Sequence, residues 1–572
     1  MRIRSLAAFA SLPVLALGAC DPAPVEVPDA FIESPDGYVE ASEAGTDAAM
    51  PTYDVCDELG LPRRPFDTTA AGDVQDEPAG DFTVQTLSGP FHLAERWTGC
   101  DNFVFYTYFP NALGDALYAS LFRGSLLNGP RNVHYFFFSY EEDETARLER
   151  ANDLAEQLET AFGALVPSEA DRAFWRSRFH FVTDRITDVA GAPGAYMRSY
   201  LAHARDPSSI VDLGDRGRAG LPYPFVFGID REQRFDAGDD LSPTVGANPT
   251  FGMGQYLARW YDFRYALEQR LATEPATVVP LLDDERTTGR IFTRTVTLPD
   301  AAAMAAFDTL EFDVAITCEH RNLYGCSEWD RIANVFVCVD GEACTERREI
   351  ARWITPYWRR GRQHWVIDAT PLLGLLRAGG AQTFRVELGP EWERPTEWVA
   401  RVAMRLRTRG GQPRATGGVL AFTGGTFDAS YNAREPFRFT VPAGATRVEL
   451  VTILSGHGQT DGDNCAEWCD HRHAFSVNGT AIPPLVHTGA PIGTIRACAE
   501  RAGEGVVPGQ GGNWSIARAY WCPGLPVEAE RRDITELVTP GSEATLEYRA
   551  SFGTMEPRGG DIALSAYVVW YE

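Results

Sequence analysis

The sequence predicts a multidomain protein in which an α/β domain is followed by two antiparallel β-sandwiches. Between about residues 80 and 275, nearly continuous apolar runs alternate with a helical pattern, as expected for sheets buried on both faces. From about residue 289 the apolar period changes to two, and Gly, Pro and Asp separate the runs. The chain has 572 residues, 44% of them hydrophobic, which is enough for several separate cores.

The first twenty residues have the pattern of an export signal. Two arginines precede an apolar run from Leu6 to Leu17, which is too short to span a bilayer as a helix. The four residues that end at Cys20 resemble a bacterial lipobox, which implies a lipidated Cys20. A plain secretory signal followed by a chance cysteine is the alternative. We expect an exported bacterial lipoprotein, anchored to a membrane through lipid only and facing the periplasm or the cell surface.

The charge distribution limits the possible functions. The net charge is −27, and all 52 basic residues are arginine, so a lysine nucleophile or Schiff base is excluded. Without a basic cluster the chain has no evident means of binding nucleic acid, which we do not expect as a partner. Residues 21–62 contain eleven acidic residues and no basic ones, which predicts a disordered linker.

Apart from Cys20, ten cysteines remain, and an even number in an exported protein indicates disulfides. Zinc is the alternative for the close pairs, but the Cys-x2-Cys doublets of zinc sites are missing. The spacing suggests Cys318–Cys326, Cys338–Cys344, Cys465–Cys469, Cys498–Cys522 and, with a weaker signal, Cys56–Cys100.

Residues 63–280 are predicted to form the α/β domain. Phe103–Tyr108 and Val133–Phe138 are predicted buried strands, an amphipathic helix covers about 148–162, and a proline directly precedes the strand that ends near Asp230. This order of elements resembles a thioredoxin-like or peroxiredoxin-like domain. The Cys-x-x-Cys motif of that family is missing from 107–112, which predicts a redox-inactive scaffold or recognition unit.

The second half of the chain is predicted to form one sandwich over 285–410 and another over 411–572. Leu310, Phe312, Val314 and Ile316 alternate with mostly polar residues, which is typical of a half-buried strand, and similar runs recur up to residue 571. A Gly-rich stretch at 409–418 separates the two units.

Two short segments combine tryptophan with carboxylates. Asp330 lies between Trp329 and Arg331, directly before a predicted strand, where a rigid backbone can direct its carboxylate into a cleft. Glu467 and Trp468 lie inside the small ring that a Cys465–Cys469 disulfide would close. A surface Asp–Arg pair and a purely structural disulfide loop are the alternatives. Together the segments suit a site that holds a polar, ring-shaped substrate and acts on it with carboxylates.

His471 and His473 are spaced to lie on one face of a strand. They could provide half of a metal site, but a convincing third or fourth ligand is missing, so packing or hydrogen bonding is favoured. We predict neither a metal nor a cofactor.

Five spaced blocks in the second half carry a family resemblance. They are Cys326-x-Glu-Trp-Asp-Arg-x-Ala-Asn-Val335, Ile354-Thr-Pro-Tyr-Trp358, Cys465-Ala-Glu-Trp-Cys469 with His473, Gly512-Asn-Trp514 leading to Arg518, and Trp521-Cys-Pro-Gly524. In this order they resemble the bacterial peptide-N-glycosidase F family over about residues 285–572. The first half of the chain lies outside the resemblance.

The resemblance implies two adjacent eight-stranded jelly rolls with a glycan-binding cleft between them. Asp330 matches the carboxylate that activates water, and Glu467 matches the one that binds and polarises the substrate. Arg518 and Arg331 match site arginines, and Trp329, Trp468 and Trp521 match aromatic positions around the site. The implied reaction is metal-free hydrolysis of the asparagine side-chain amide, which yields aspartate and a glycosylamine.

The chain departs from the family pattern at two places. A third family carboxylate has no direct counterpart in the stretch that ends at Trp392, a predicted substrate-binding residue. Glu391 is the nearest candidate for that role if a bulge rotates it inward, and Glu387 is the fallback. His457 stands where the family has a further tryptophan.

The leading hypothesis is an exported, monomeric amidase acting on N-linked glycopeptides or glycoproteins. A non-catalytic N-glycan-binding homologue on the cell surface is the alternative. A copper monooxygenase, a class in which paired jelly rolls also occur, would need a histidine cluster that the first sandwich does not offer.

Overall fold

In the computed structural model, the elements of the described residues extend from a helix that begins at Val55 to a strand that ends at Tyr571. The described residues are 54–110, 114–115, 118, 126–204, 226–238, 244–245, 248–249, 253–287, 290–319, 326–327, 329–357, 359–389, 398–411, 413–458, 465–488, 496–510 and 513–572. The predicted export signal with Cys20 lies outside them, as do Glu391 and Trp392.

The N-terminal part contains a mixed seven-stranded sheet with the order β2-β1-β5-β4-β3-β6-β7. Its strands are β1 Thr83–Thr86, β2 Gly89–His92, β3 Asn102–Tyr108, β4 Val133–Ser139, β5 Phe179–Arg185, β6 Val226–Ile229 and β7 Phe235–Asp236. Strands β3, β4 and β5 are parallel, whereas β6 and β7 run antiparallel. Every residue of β3 is buried, as expected for a strand covered on both faces.

The helices of this part are α1 Val55–Leu59, α2 Leu93–Arg96, α3 Glu144–Leu165, α4 Glu169–Arg176, α5 Ala192–Ala204 and α6 Met253–Thr273. The prediction that residues up to 62 form a disordered linker is wrong for 54–62. Asp54 caps α1 by accepting from the Cys56 N–H, and Gly60 ends the helix at φ +61°. A disulfide from Cys56 to Cys100 then ties the helix to the sheet.

Two sheets follow and face each other as a sandwich. One contains β10 Thr277–Arg286, β12 Thr309–Cys318, β15 Gly361–Asp368 and β17 Val399–Arg407 in the order β10-β17-β12-β15. The other contains β11 Ile291–Asp300, β13 Ile332–Cys338, β14 Arg347–Ile354, β16 Gly379–Glu387 and β24 Leu525–Pro526 in the order β11-β16-β13-β14-β24. Strand β10 begins before the predicted sandwich start at residue 285, because its first residues already pair with β17.

A second pair of sheets forms the C-terminal sandwich. One sheet has the order β18-β27-β20-β25, with β18 Ala415–Thr426, β20 Arg447–His457, β25 Ala529–Asp533 and β27 Asp561–Tyr571. The other has the order β19-β26-β21-β22 with β23 also on β21, and comprises β19 Phe437–Thr440, β21 His471–Val477, β22 Thr480–Ala481, β23 Leu485–His487 and β26 Glu543–Phe552. The chain is therefore multidomain and mostly antiparallel β.

The remaining elements are short. They are the hairpin β8 Thr244–Val245 and β9 Asn248–Pro249, the helices α7 Ala301–Met304, α8 Cys465–Trp468 and α9 Ala497–Glu500, and 3-10 turns at Leu126–Asn128, Ile186–Asp188, Gly341–Ala343, Thr370–Leu376, Arg501–Glu504 and Thr535–Leu537. Among the described residues, no helix combines the length and apolar character that crossing a membrane requires. Five disulfides join the ten described cysteines in the pairs that the spacing suggests.

Strand β12 corrects one burial prediction. It was predicted to be half-buried, but nine of its ten residues are buried. Its polar residues are enclosed by partners, since Arg409 donates to Glu311 at 2.7 Å and Asp313 lies 2.6 Å from the imidazole of His364. Arg270 of α6 also reaches Glu311, so the N-terminal part of the chain helps to cover this face. The apolar and polar residues of β12 alternate as in a strand with one face in solvent, but ion pairs with neighbouring side chains take the place of water on its polar face.

One continuous apolar core joins the N-terminal sheet to the sandwich that follows it. It includes Val104 and Trp260 on one side, Trp365 in the first sandwich, and Val507 and Trp521 in the segment between β23 and β24. Separate cores fill the C-terminal sandwich and the opposite face of the seven-stranded sheet. The segment between β23 and β24 therefore leaves its own sandwich and packs against the first one.

Candidate active site

The backbone around Asp330 is fixed on both sides. The Cys318–Cys326 disulfide closes the loop before it, and β13 begins two residues after it. Next to it, the Arg331 N–H donates to the hydroxyl of Thr355 at 2.9 Å, and the Thr355 N–H donates back to the Arg331 carbonyl at 2.9 Å. These contacts fix the backbone next to Asp330, just before the first residue of strand β13.

Glu467 lies in the single turn α8, which the Cys465–Cys469 disulfide closes. The turn is also held by its backbone, because the Ala466 N–H donates to the Gly559 carbonyl at 3.0 Å and the Ala519 N–H donates to the Glu467 carbonyl at 3.1 Å. The second of these bonds places Arg518, the residue before Ala519, beside Glu467.

Arg518 joins the two carboxylates that the sequence places far apart. Its Nε donates to Glu467 at 3.1 Å, and its Nη2 lies 3.8 Å from Oδ2 of Asp330. The guanidinium is fully buried and lies 4.9 Å from the centre of the Trp468 ring and 4.8 Å from that of Trp521. Asp330, Glu467 and Arg518, all three predicted site residues, therefore form one cluster.

Two further residues complete this cluster, and sequence reasoning gave neither of them a role. The Tyr357 hydroxyl accepts from Arg518 at 3.0 Å and donates to the side-chain oxygen of Asn513 at 3.4 Å, and it lowers the pKa of the Asp330 carboxyl. Asn513 accepts from Arg518 through both its carbonyl, at 3.3 Å, and its side-chain oxygen, at 2.5 Å. Both residues lie inside the sequence blocks that carry the family resemblance, and those blocks were the available signal.

The partners of Arg518 account for all five of its N–H groups. Nε donates to Glu467, Nη1 to the carbonyls of Asn513 and Ile516, and Nη2 to Tyr357 and Asn513. With its donors occupied in this way, the guanidinium positions the carboxylates and supplies charge to the site. Within this cluster, the groups that can gain or lose a proton near neutral pH are Asp330 and Glu467.

The protonation of both carboxyls is perturbed. Burial raises the pKa of Asp330 from 3.8 to about 6, although the charges of Arg518 and Arg331 oppose the shift. Burial also raises the pKa of Glu467 from 4.5 to about 7, against the charge of Arg518 and with a further contribution from Asp330. Near neutral pH the cluster can therefore hold one ionised carboxylate, on Asp330, beside a protonated one on Glu467.

One oxygen of Asp330 lies near the Arg518 guanidinium without a hydrogen bond of its own within the residues that the structure describes. Oδ2 is buried and has no hydrogen-bond partner among the described residues, and the Asp330 side chain is 12% exposed. A carboxylate oxygen that is desolvated but not saturated is a strong proton acceptor for a bound water.

The predicted tryptophans differ in accessibility. Trp329 is 42% exposed and Trp468 is half-buried, so both can present ring surface to a ligand. Trp521 is only 4% exposed, its indole N–H donates to the Gly456 carbonyl at 2.7 Å, and its ring stacks on His457. The ring of Trp521 thus packs against Arg518, and its predicted contact with substrate stays a prediction.

The two spaced histidines belong to a hydrogen-bond chain behind Glu467. Tyr548 lies 2.6 Å from Nδ1 of His473, Nε2 of His473 lies 2.9 Å from Nδ1 of His471, and Nε2 of His471 lies 3.0 Å from the Ala466 carbonyl. Burial lowers the pKa of both imidazoles, that of His471 to about 4. The rings are neutral and hold the turn that carries Glu467. In the described part of the chain, no group of three or more His, Cys, Asp or Glu residues is placed to hold a metal ion.

The fallback carboxylate Glu387 is already paired. It lies 2.6 Å from Arg385 and 3.0 Å from Arg347 on neighbouring positions of the same sheet. Arg331 itself is half-buried beside Asp330.

Comparison with known proteins extends the family resemblance. Residues 427–569 match the family model described as peptide-N-glycosidase F, C terminal. Over 293 residues the chain is 26% identical to peptide-N(4)-(N-acetyl-β-D-glucosaminyl)asparagine amidase F of Elizabethkingia miricola, with 48% of this chain and 77% of that protein covered.

Solved structures show similarity over about the same share of the chain. PNGase F from Flavobacterium meningosepticum, described as a glycosylasparaginase, is 22% identical with a TM-score of 0.42, and the match covers 52% of this chain and 96% of that one. A structure of PNGF-II is 10% identical with a TM-score of 0.40, and that match covers 54% of this chain and 67% of the other.

Proposed function

The chain belongs to a peptide-N-glycosidase F-like family, and we propose that it hydrolyses the asparagine–N-acetylglucosamine amide of N-linked glycopeptides or glycoproteins. The glycan would be released and aspartate would remain in the peptide. The observation that carries this proposal is the placement of Arg518 between Asp330, whose unsaturated oxygen can accept a proton, and Glu467, whose pKa is about 7. Binding alone would not require two carboxylates that differ in protonation.

The cluster provides each proton transfer that amide hydrolysis needs. Asp330 removes a proton from water, whose oxygen then attacks the amide carbon, while protonated Glu467 donates a hydrogen bond to the carbonyl oxygen as it becomes negative. When the carbon–nitrogen bond breaks, the proton on Asp330 passes to the leaving nitrogen. The products are a carboxyl group on the peptide and a glycosylamine.

The remaining site residues hold this arrangement and the substrate. Tyr357, after Arg518, lowers the pKa of Asp330 against the effect of burial, which favours an ionised base near neutral pH. Arg518 opposes the rise in pKa of both carboxyls. Trp329 and Trp468 offer accessible indole faces that suit the apolar faces of N-acetylglucosamine rings.

Product analysis tests the proposal directly. The chain without residues 1–20 is incubated with a denatured N-glycoprotein and with a short glycopeptide, in parallel with the Asp330→Asn variant. We expect intact glycan release and a mass increase of about 1 Da as asparagine becomes aspartate, with neither product from the variant. Glycan binding without release from either substrate would instead identify an N-glycan-binding homologue.

The pH dependence of kcat/KM is expected to be bell-shaped. Asp330 must be ionised, so the rate rises as pH passes about 6, and Glu467 must be protonated, so the rate falls as pH passes about 7. Rates measured between about pH 4 and 9 test this. The Glu467→Gln variant should keep the acid limb and lose the alkaline one. An unchanged alkaline limb in that variant would show that Glu467 is not the titrating donor.

The disulfide ring around Glu467 is expected to matter for rate more than for stability. Its loop is only four residues long, so its removal has little effect on the unfolded chain, yet it frees the turn that aims the carboxylate. In the Cys465→Ala/Cys469→Ala variant, kcat should fall about tenfold. The matched Cys338→Ala/Cys344→Ala variant removes another short-range disulfide, with a sequence separation of six, from the first sandwich and should keep kcat within about twofold. Equal losses in both variants would contradict a positioning role for the ring.

We also propose that the N-terminal part is a thioredoxin-like domain without redox activity. The order β7-β6-β3-β4, with β3 and β4 parallel, β6 and β7 antiparallel and α6 following them, supports this topology. Cys100 is bonded to Cys56 rather than to a neighbouring cysteine, which agrees with a structural role. A dithiol-exchange assay with wild-type protein should give no activity above the uncatalysed rate.

Export and lipid anchoring form part of the same proposal and rest on the residues around Cys20. Metabolic labelling with a fatty acid should mark the full chain and leave a Cys20→Ser variant unlabelled. Label on the variant would refute lipidation at this cysteine.

A further inference from the structure

A buried ion pair joins the N-terminal domain to the loop that carries Tyr357. Asp236 on β7 accepts two hydrogen bonds from Nη2 of Arg359, at 2.8 and 2.9 Å, and the two side chains are 2% and 0% exposed. Burial acts to raise the pKa of Asp236, but the charge and hydrogen bonds of Arg359, together with the Gly238 N–H and the charge of Arg264, bring the pKa below its ordinary value. The pair is therefore ionised and desolvated, a state in which losing one partner is costly.

Arg359 also binds the segment that leads to Arg518. Its Nε donates to the Pro508 carbonyl at 3.0 Å, and two residues earlier the Tyr357 N–H donates to the side chain of Gln510 at 3.0 Å. Gln510 in turn donates at 2.7 Å to the carbonyls of Val507 and Pro523, on either side of the site segment. The loop at 355–359 and the segment at 507–523 thus hold each other together at the point where Asp236 is attached.

A second contact of the same domain limits how the loop can move. Asp76 accepts from the Arg362 N–H at 2.7 Å and from Arg264 of α6 at 3.1 Å. At Gly361 the two parts approach so closely that an added Cβ would lie 2.5 Å from the Asp76 carboxylate. Asp76 therefore attaches the first residues of β15, which directly follow the loop, to the N-terminal domain.

We propose that the N-terminal domain is a positioning element of the active site. Asp236, acting through Arg359, fixes the loop from which the Tyr357 hydroxyl accepts from Arg518, the cation that lies beside Asp330. This inference rests on the proposed amidase function for its kinetic readout. It gives the domain a role in setting the geometry of the reaction, and Asp236 is a positioning residue that does not touch substrate.

The Asp236→Asn variant tests the proposal, and the matched control is Asp101→Asn. Asp101 is equally buried in the same domain and pairs with Arg178 at 2.6 Å, away from the site residues described above. Both variants should lose thermal stability. Only Asp236→Asn should lower kcat, by about tenfold, and its acid limb should move to higher pH because a displaced Tyr357 no longer lowers the pKa of Asp330. The control should keep kcat within about twofold and an unshifted acid limb.

Equal kcat values and unshifted acid limbs in both variants would overturn the proposal. If Asp236→Asn does not fold, Asp76→Asn replaces it, since Asp76 is partly exposed and holds the same loop. Hydrogen exchange provides an arm that does not need activity. Amides of Ile354, Thr355 and Tyr357, and those of Val507, Gly509 and Gln510, should exchange at least about fivefold faster in Asp236→Asn than in Asp101→Asn. If the wild type released no glycan, the proposed function would fail while this exchange difference would still support or refute the attachment.

Discussion

The Asp330→Asn variant is expected to unfold at a higher temperature than the wild type at pH 7 while losing amidase activity by a factor of about 10²–10⁴. The loss follows because an amide side chain cannot accept the proton of the attacking water. The gain follows from the raised pKa of Asp330. In the folded state its pKa is about 6, compared with 3.8 for an unperturbed aspartate.

The gain in stability of the Asp330→Asn variant depends on pH. Above pH 6 the carboxylate is ionised in both states, and its burial then lowers the free energy of unfolding by about 2–3 kcal/mol. Below about pH 4 it is protonated in both states and the penalty disappears. Asparagine lacks the charge at every pH, so the stability advantage of Asp330→Asn should be full at pH 7 and shrink as the pH falls from about 6 to about 4.

Thermal unfolding of wild type and variant at pH 7 and pH 4.5 is the measurement. Asp313→Asn is the matched control, because Asp313 is also buried in the first sandwich but its pKa lies below the ordinary value owing to His364. Burial opposes that shift, but the hydrogen bond from His364 and the nearby positive charges together outweigh it, so this variant should be less stable than the wild type at pH 7. A less stable Asp330→Asn protein at pH 7 would contradict a desolvated catalytic base.

Replacing Arg518 by methionine is expected to have the largest combined effect. The side chain is fully buried and donates five hydrogen bonds, so its removal leaves two carboxyls without their shared cation. We expect the free energy of unfolding to fall by about 3–5 kcal/mol. Activity should fall at least about 10³-fold, because the pKa of Asp330 rises and its carboxyl is no longer ionised near neutral pH.

Urea unfolding and single-turnover rates test this variant beside two others. Arg438→Met breaks an exposed pair with Glu543 and should change stability by less than about 0.5 kcal/mol. Arg518→Lys keeps the charge but has only three donors on a flexible stem, so it should recover part of the stability and little of the activity. Wild-type stability in Arg518→Met would show that the cluster does not depend on this guanidinium.

Much of the strand pattern could be predicted from the sequence, because apolar periodicity reports directly on burial. The predicted strands at Phe103–Tyr108 and Val133–Phe138 differ from β3 and β4 by one residue at an end. The prediction failed for the solvent-facing side of β12, because periodicity cannot show that a partner such as Arg270 covers a carboxylate such as Glu311. It also failed for 54–62, where a cap and a disulfide order an acidic segment.

The candidate site was predictable to the extent that its residues lie in distinctive short blocks. Asp330, Glu467 and Arg518 were identified in this way, and the fold brings them together. Tyr357 received no role, since a tyrosine after Thr-Pro carries no sign of what its hydroxyl contacts. The Asp236–Arg359 pair could not be predicted either, because an ion pair between residues 123 positions apart leaves no local sequence pattern.

Strand β24 also determines the order in which the site can be completed. Leu525 and Pro526 pair with Ile354 and Trp353 at the edge of the first sandwich, so a sheet that begins near residue 291 receives its last strand only from the far end of the chain. Arg518 lies a few residues before that strand. A nascent chain that ends after the first sandwich would therefore contain Asp330 but not Arg518. The proposed hydrolysis would begin only after nearly the whole polypeptide had been synthesised and folded.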